Sequence, residues 1–336
     1  MKSVLITHAD LPLGRRIAKV LWHDPKVLRI LALGEGAIPR VFNSYRDGVP
    51  PRFVYERIDL ARQRSVSELF RSKRMRVLGV DSVVYVPRHG AAPEGAPVVA
   101  KIPARTAEAR LVLHHAQESR SIRSLIALGS AFVYKLAPSN ANQLTERSEL
   151  DLDPEVAPEL RSWIDCDMLF NAEFASARLR VLLLRVPTVV ASGGFVYLHP
   201  GLEGTAGLRV RPAGFDPLGS VISDKDVARA VRTALHTDMT GVFNVAAREL
   251  LPLSVLGRWT RRPCIPVPGP LLAIASGAAA QFGGERLRGR LEGPYLRYGM
   301  SLDTRRAAEE LGFTPRYRVG VARAGDGVMR VEAVAI

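Results

Sequence analysis

The chain has almost no cysteine, little lysine and no long apolar run, and each shortage removes a class of protein. Its 336 residues include two cysteines, Cys166 and Cys264. Widely separated and without C-x-x-C spacing, they form neither a disulfide framework nor a zinc site, so the expected compartment is a reducing cytoplasm. Aromatic residues make up only 7%. The basic clusters Arg71 to Arg76, Arg261-Arg262 and Arg286 to Arg290 accordingly lack the interleaved rings of a single-strand nucleic-acid binder. The longest weakly polar stretch, Leu271 to Phe282, is about a dozen residues, against the roughly 20 needed to span a bilayer. At the start, Met1 to Ile6 runs into Asp10 too soon for a secretory apolar core and reads as a first strand.

What is present describes a folded globule: 47% apolar and 24% charged residues, over a length that fits one large or two interlocked domains. The formal charge of +14 is carried mainly by arginine, since only seven of 47 basic residues are lysines. Such a surplus favours anionic partners. Because the clusters are dispersed along the chain, a solvated arginine-rich surface is the simpler reading, with nucleic acid or an anionic membrane surface as the weaker alternative.

Apolar runs alternate with amphipathic stretches. Val4-Leu5-Ile6, Val27 to Leu33, Phe53 to Tyr55, Asp81 to Val86, Ser124 to Leu128 and Arg180 to Val186 read as strands; Ser65 to Phe70, Thr106 to Gln117 and Pro158 to Ala177 read as helices. Fully apolar strands joined by helices imply a doubly wound parallel α/β sheet, a Rossmann-like domain over 1–187. Over 188–336 the pattern loosens into a smaller α/β cap, with helices expected at Asp226 to Leu235, Leu253 to Thr260 and Leu302 to Leu311, and a strand at Gly241 to Ala246 that could return to the sheet. Ligands of such folds sit at the carboxyl ends of the strands.

The first strand enters Thr7-His8-Ala9-Asp10-Leu11-Pro12-Leu13-Gly14 and then a helix. In the G-x-x-G-x-x-G turn of a dinucleotide-binding unit, the first glycine permits the bend, the second lets backbone approach pyrophosphate, and the third allows close helix-strand packing. Those places read His8, Leu11 and Gly14. The glycine that serves the fold is present and the two that serve a cofactor are not. Pro12 also removes an amide from the helix start, which weakens an anion site there.

Together with Asp59-Leu60, Gly129-Ser130-Ala131-Phe132-Val133-Tyr134, Asp226 to Ala230, Phe243-Asn244-Val245-Ala246, and Asp303 through Leu311-Gly312-Phe313-Thr314-Pro315, this turn resembles the extended short-chain dehydrogenase/reductase family. That family includes NAD-dependent epimerases and dehydratases of nucleotide sugars and related sterol dehydrogenases. The resemblance implies NAD or NADP as cofactor, with Thr7, His8, Leu11, Gly14 and Asp59 at its site, a small-molecule substrate, and a homodimer through helices flanking the sheet. It also implies a Tyr-x-x-x-Lys pair on one helix face, where lysine lowers the tyrosine pKa and holds the ribose, and a serine that steadies the substrate oxygen. Ser130 matches that serine. The pair's positions read Trp163 and Asp167.

No realignment restores the pair, because there is no tyrosine between Lys135 and Tyr197 and no lysine between Lys135 and Lys225. Indole is no general acid or base at neutral pH, and Asp167 inverts the charge at the lysine position. The acid expected at the end of the second strand is also displaced: Leu33 stands there, with Glu35 two residues later. Asp165 and Asp167, two apart on a helix, face apart and are expected to be exposed or capping acids; Trp163 is expected to fill vacated cofactor volume. His114-His115 sit on a predicted helix with no acidic or cysteine cluster nearby, so no metal site is expected. Three functions stay open: a degenerate pseudoenzyme acting as a binding or scaffold module for a small molecule or protein; an active NAD(P)-dependent oxidoreductase or epimerase using Ser130, an aspartate base and arginines such as Arg15 or Arg40 for a 2′-phosphate; and a basic nucleic-acid or lipid binder.

Overall fold

A computed structural model describes residues 1–45, 51–88, 102–154, 156–191, 194–197, 209–259, 264–268, 270–271, 274, 294–323 and 329–335. The expected apolar stretch at 271–282, apart from residues 271 and 274, and the arginines at 261–262 and 286–290 lie outside them. In chain order the elements are β1 (Lys2–Ile6), α1 (Pro12–Trp22), β2 (Val27–Gly34), β3 (Phe53–Arg57), α2 (Gln63–Arg71), α3 (Lys73–Leu78), β4 (Ser82–Tyr85), α4 (Ile102–Glu118), β5 (Ser124–Ser130), α5 (Pro158–Asn171), β6 (Arg180–Val186), β7 (Thr188–Ala191), β8 (Gly194–Tyr197), β9 (Arg209–Pro212) and β10 (Leu218–Ser223). They continue with α6 (Asp224–Leu235), β11 (Gly241–Asn244), β12 (Leu250–Pro252), α7 (Leu253–Trp259), β13 (Cys264–Val267), α8 (Pro294–Tyr298), α9 (Arg305–Glu309), β14 (Tyr317–Arg323) and β15 (Met329–Ala335).

Seven strands form one parallel sheet in the order β11-β6-β5-β4-β1-β2-β3. Successive side chains point to opposite faces, so β1 delivers Val4 and Ile6 to one apolar layer and Leu5 to the other. The first layer packs on Leu13, Ile17 and Leu21 of α1 and Val227, Val231 and Leu235 of α6; the second packs on Val66 and Leu69 of α2, Val112 and Leu113 of α4, and Phe170 of α5. Each such side chain contributes about 1.5–3 kcal/mol when fully buried. Helix ends follow local chemistry: Ser72 accepts from Met75 N at 3.2 Å to start α3, and Gly79 closes it in the left-handed region at φ 61.

The smaller part of the chain supplies a second sheet, β12-β10-β7-β8, and the pairs β9–β13 and β14–β15. A third apolar cluster, including Phe132, Tyr134, Leu144, Tyr295, Met300 and Leu302, joins the loop after β5 to this cap. One strand of the latter half, β11, returns to the main sheet beside β6. Among the described residues no helix is long and apolar enough to cross a membrane.

Two helices are shorter than their patterns predict. α5 stops at Asn171 instead of Ala177, where the Asn171 amide turns back to bond both the backbone and the carboxylate of Asp167. The last helix begins at Arg305, not Leu302, because Leu302 is held in a bridge with Leu144 and the Asp303 carboxylate accepts from Arg305 N at 2.9 Å.

Candidate functional site

Strand order reverses between β1 and β4, so the crevice at their carboxyl ends is the topological switch point at which ligands of open α/β sheets bind. Thr7 closes β1 by exchanging two 2.8 Å bonds with the backbone of Val86, donating to its carbonyl and accepting from its amide. His8 follows with φ 46, the one non-glycine residue with positive φ among the described residues. The turn thus keeps the backbone shape of a glycine while carrying an imidazole. Gly14 is required by packing: a Cβ there would lie 2.1 Å from the His8 carbonyl oxygen. Leu11 stands at the N-cap of α1 without a capping side chain, and Pro12 opens the helix.

The imidazole reaches across to α4, where His8 Nε2 lies 2.9 Å from Glu108 Oε2, both residues buried. Burial opposes ionisation of Glu108, yet the hydrogen bonds and charges of His8 and Arg88 outweigh it and hold the carboxyl below its usual range. An ionised carboxylate only accepts, so Nε2 carries the proton. Arg88, just past β4, donates to Glu108 Oε1 at 2.9 Å and forks onto the Glu35 carboxylate beyond β2, with Nη1 2.8 Å from Oε2. Because β1 lies between β4 and β2, the Arg88–Glu35 pair spans the mouth of the switch point above the turn. Arg105 of α4 completes the cluster, donating to Ser162 Oγ at 2.6 Å and stacking 4.1 Å over the Trp163 ring.

Within the same turn Asp10 reaches sideways, and its Oδ2 accepts from Glu35 N at 3.1 Å and Gly36 N at 2.8 Å. This approach exists because Gly34 has no Cβ; one there would lie 2.5 Å from Asp10 Oδ1. Burial and the nearby Asp10 push the Tyr55 phenol up to about 12, and its hydroxyl donates to the Gly36 carbonyl at 2.8 Å.

A second buried network lies at the ends of β5 and β6. Asp167 is buried and grips Arg185 with two 2.7 Å bonds, the side chains being 0% and 3% exposed. Arg185 also donates to the Tyr134 hydroxyl at 2.9 Å, which donates to Asn244 Oδ1 at 2.6 Å. Burial pushes Tyr134 up to about 12 despite the adjacent guanidinium, so it is a neutral hydrogen-bonding group at physiological pH.

The expected pair of exposed or capping acids is therefore half corrected: Asp165 is exposed, whereas Asp167 is a buried ion-pair partner. Its partner is signalled by Arg185 inside the apolar run that follows Arg180 in β6, a residue type rarely buried unless paired. Trp163 is core, packed with Ile164 among the residues of the first apolar layer. Ser130 is buried, and its Oγ accepts from Phe132 N at 3.1 Å, capping the following turn. Asp59 lies outside the crevice network: it accepts from Ala61 N at 3.0 Å and pairs with Arg62 at the surface. Arg15 and Arg40 are exposed. Sequence reasoning missed Glu108, Arg88 and Arg105 altogether.

The residues present fit a dinucleotide poorly on three counts. The Arg88–Glu35 ion pair bridges the residues that follow β4 and β2, the Asp10 carboxylate takes the amides after β2, and α1 begins with Leu11 and Pro12 where glycines would leave amides free. Asp167 is an anion held in a buried pair with Arg185.

The fold is nevertheless shared with solved dehydratases and epimerases of nucleotide sugars. No protein-family model matches the chain. It is similar to the uncharacterized proteins Rv0501 of Mycobacterium tuberculosis and Mb0513 of Mycobacterium bovis, each 24% identical over 324 residues, covering 94% of this chain and 81% of the relative. Among solved structures it is similar to a dTDP-glucose 4,6-dehydratase from Bacillus anthracis in complex with NAD, with a TM-score of 0.63, 12% identity and coverage of 94% and 92%. A UDP-glucose 4-epimerase from Thermotoga maritima, with UDP-glucose, gives a TM-score of 0.62, 12% identity and coverage of 94% of both chains.

Proposed function

We propose that this chain is a non-catalytic member of that fold, a binding or scaffold module in which the dinucleotide crevice is closed by the chain's own side chains. The observation that carries the reading is the relay His8–Glu108–Arg88–Glu35, which crosses the switch point from β1 through α4 and β4 to β2. A dinucleotide entering there must displace the Arg88–Glu35 pair and face two carboxylates, Glu35 and Asp10, near its phosphates. The Asp167–Arg185 pair supports the same reading, because at the place where the resemblance puts a free lysine it sets a carboxylate already neutralised by a buried guanidinium. Losing positioned acid–base catalysis costs about 10²–10⁴ in rate.

The test is calorimetric titration, with thermal unfolding in parallel, using NAD⁺, NADH, NADP⁺ and NADPH. A ligand present at 100 times its Kd stabilises the native state by about 2.7 kcal/mol. The expected result is no heat and no rise in Tm with any of the four. Saturable micromolar binding of one of them overturns the proposal and makes the chain a cofactor-binding protein whose crevice opens.

A further inference from the structure

The last turn of α4 carries a cluster that the crevice does not use. His114 and Glu118 are separated by four residues and His115 and Glu118 by three, spacings that share one helix face. The two histidines have no acidic or cysteine cluster beside them in sequence, but the helix brings one carboxylate, Glu118, to both. His114 Nε2 lies 3.5 Å from Glu118 Oε1, and His115 Nδ1 lies 3.6 Å from Glu118 Oε2. One ligand atom from each of the three residues falls within 4.8 Å of the others.

These separations exceed good hydrogen bonds. The two histidine–carboxylate separations are close to the edge of a tetrahedron around zinc, about 3.3 Å for metal–ligand bonds of about 2.0–2.1 Å. The ring of His115 is 7% exposed and stacked on Phe70 at 5.4 Å, with its Nε2 buried and without a hydrogen-bond partner. Packing thus fixes one imidazole, while His114 and Glu118, each 57% exposed, can close onto an ion. The C-terminal end of a helix favours a cation through its aligned peptide dipoles. Two imidazoles and a carboxylate suit zinc, nickel or copper better than magnesium or calcium, and three protein ligands leave a coordination position open to solvent. Glu118 is ten residues beyond Glu108, about 15 Å along the helix, so this cluster is separate from the crevice and its reading is independent of the proposed function.

We propose that His114, His115 and Glu118 form a surface site for a borderline divalent cation of the Zn²⁺ class. Arg71, on α2, acts electrostatically on His115 and opposes the ion. The experiment is calorimetric titration of the full, untagged chain with ZnCl₂ in excess Mg²⁺, at neutral pH. One zinc per chain is expected. His114→Ala and Glu118→Gln each weaken it by about tenfold or more, the lower end of the range typical for disturbing a metal's outer ligands, whereas Arg71→Ala tightens it and His236→Ala, at a histidine just past α6 that bonds Asp24, leaves it unchanged. Both ligand changes are at exposed side chains, and unchanged Tm without metal verifies that the variants fold. Absence of saturable binding by the unaltered chain, or unaltered affinity in the His114→Ala/Glu118→Gln double variant, overturns the proposal.

Discussion

Removing Asp167 tests whether the buried pair, rather than its surroundings, is the energetic unit where α5 meets β6. In Asp167→Ala the Arg185 guanidinium, 3% exposed, loses both 2.7 Å carboxylate bonds and stays enclosed by α5, β5 and β6. Breaking one side of a buried pair costs about 3–5 kcal/mol, because the remaining charge is uncompensated. With about 2.1 cal/mol/K of unfolding entropy per residue over 336 residues, that loss lowers Tm by about 4–7 °C. The assay is thermal unfolding by circular dichroism in low salt and in 0.5 M salt. A buried pair is screened far less than a surface one, so the difference should not shrink with salt. Asp167→Ala combined with Arg185→Met removes both charges and should recover more than half of the loss, the remainder reflecting the Tyr134 hydroxyl and the Glu146 carbonyl deprived of a donor. Asp167→Lys should be worse than alanine, since it sets two cations together in a dry site. A fall of less than 1 °C in Asp167→Ala, or a double variant as unstable as the two single changes added together, would refute the reasoning.

Glu108 sets a pH window. Its folded pKa lies below the ordinary 4.5, so the unfolded chain takes up the proton first; the contribution is fully present above the unfolded value and is lost as pH falls through the folded one. The Tm gap between the unaltered chain and Glu108→Gln should therefore be constant near neutrality and narrow on acidification below about pH 4.5; a gap that widens in acid contradicts this. Gly14→Ala places a methyl 2.1 Å from a backbone oxygen that cannot yield without moving α1 off β1. It should cost about 3 kcal/mol or more, and a variant with unchanged Tm would show that the helix has room to shift.

The sheet was legible because buried parallel strands are written as short apolar runs and their crossover helices as amphipathic stretches, both local patterns. The turn was legible for the same reason: Gly14 stands at fixed spacing from β1. Hydrogen-bond partners are not local. Glu108 lies 100 residues from His8 and 20 from Arg88, and nothing in the helical period of α4 separates a buried glutamate from an exposed one. The two aspartates of α5 show the limit clearly. Their spacing says that they face apart, but which one is buried depends on where Arg185 falls on β6, a register fixed by the sheet. Glu118 was different, since its offset from His114 could have been read directly from the helix period.

Positions 8 and 14 of the turn separate what folding requires from what it does not. Gly14 has no substitute, because the backbone of His8 occupies the place of any side chain. At position 8 folding alone favours glycine, since the left-handed φ of 46 costs a residue with a Cβ about 1 kcal/mol. Histidine is favoured there only through its bond to Glu108, and a hydrogen bond to a charged group contributes about 1.5–3 kcal/mol, enough to offset the strain. Glu108 in turn is tolerable in the interior only with His8 and Arg88 on its two oxygens, and Arg88 is held across the crevice by Glu35. Each residue of the relay is explained by the next and none by the needs of the sheet, which is why the relay, rather than the fold that carries it, is the feature from which this chain's function should be sought.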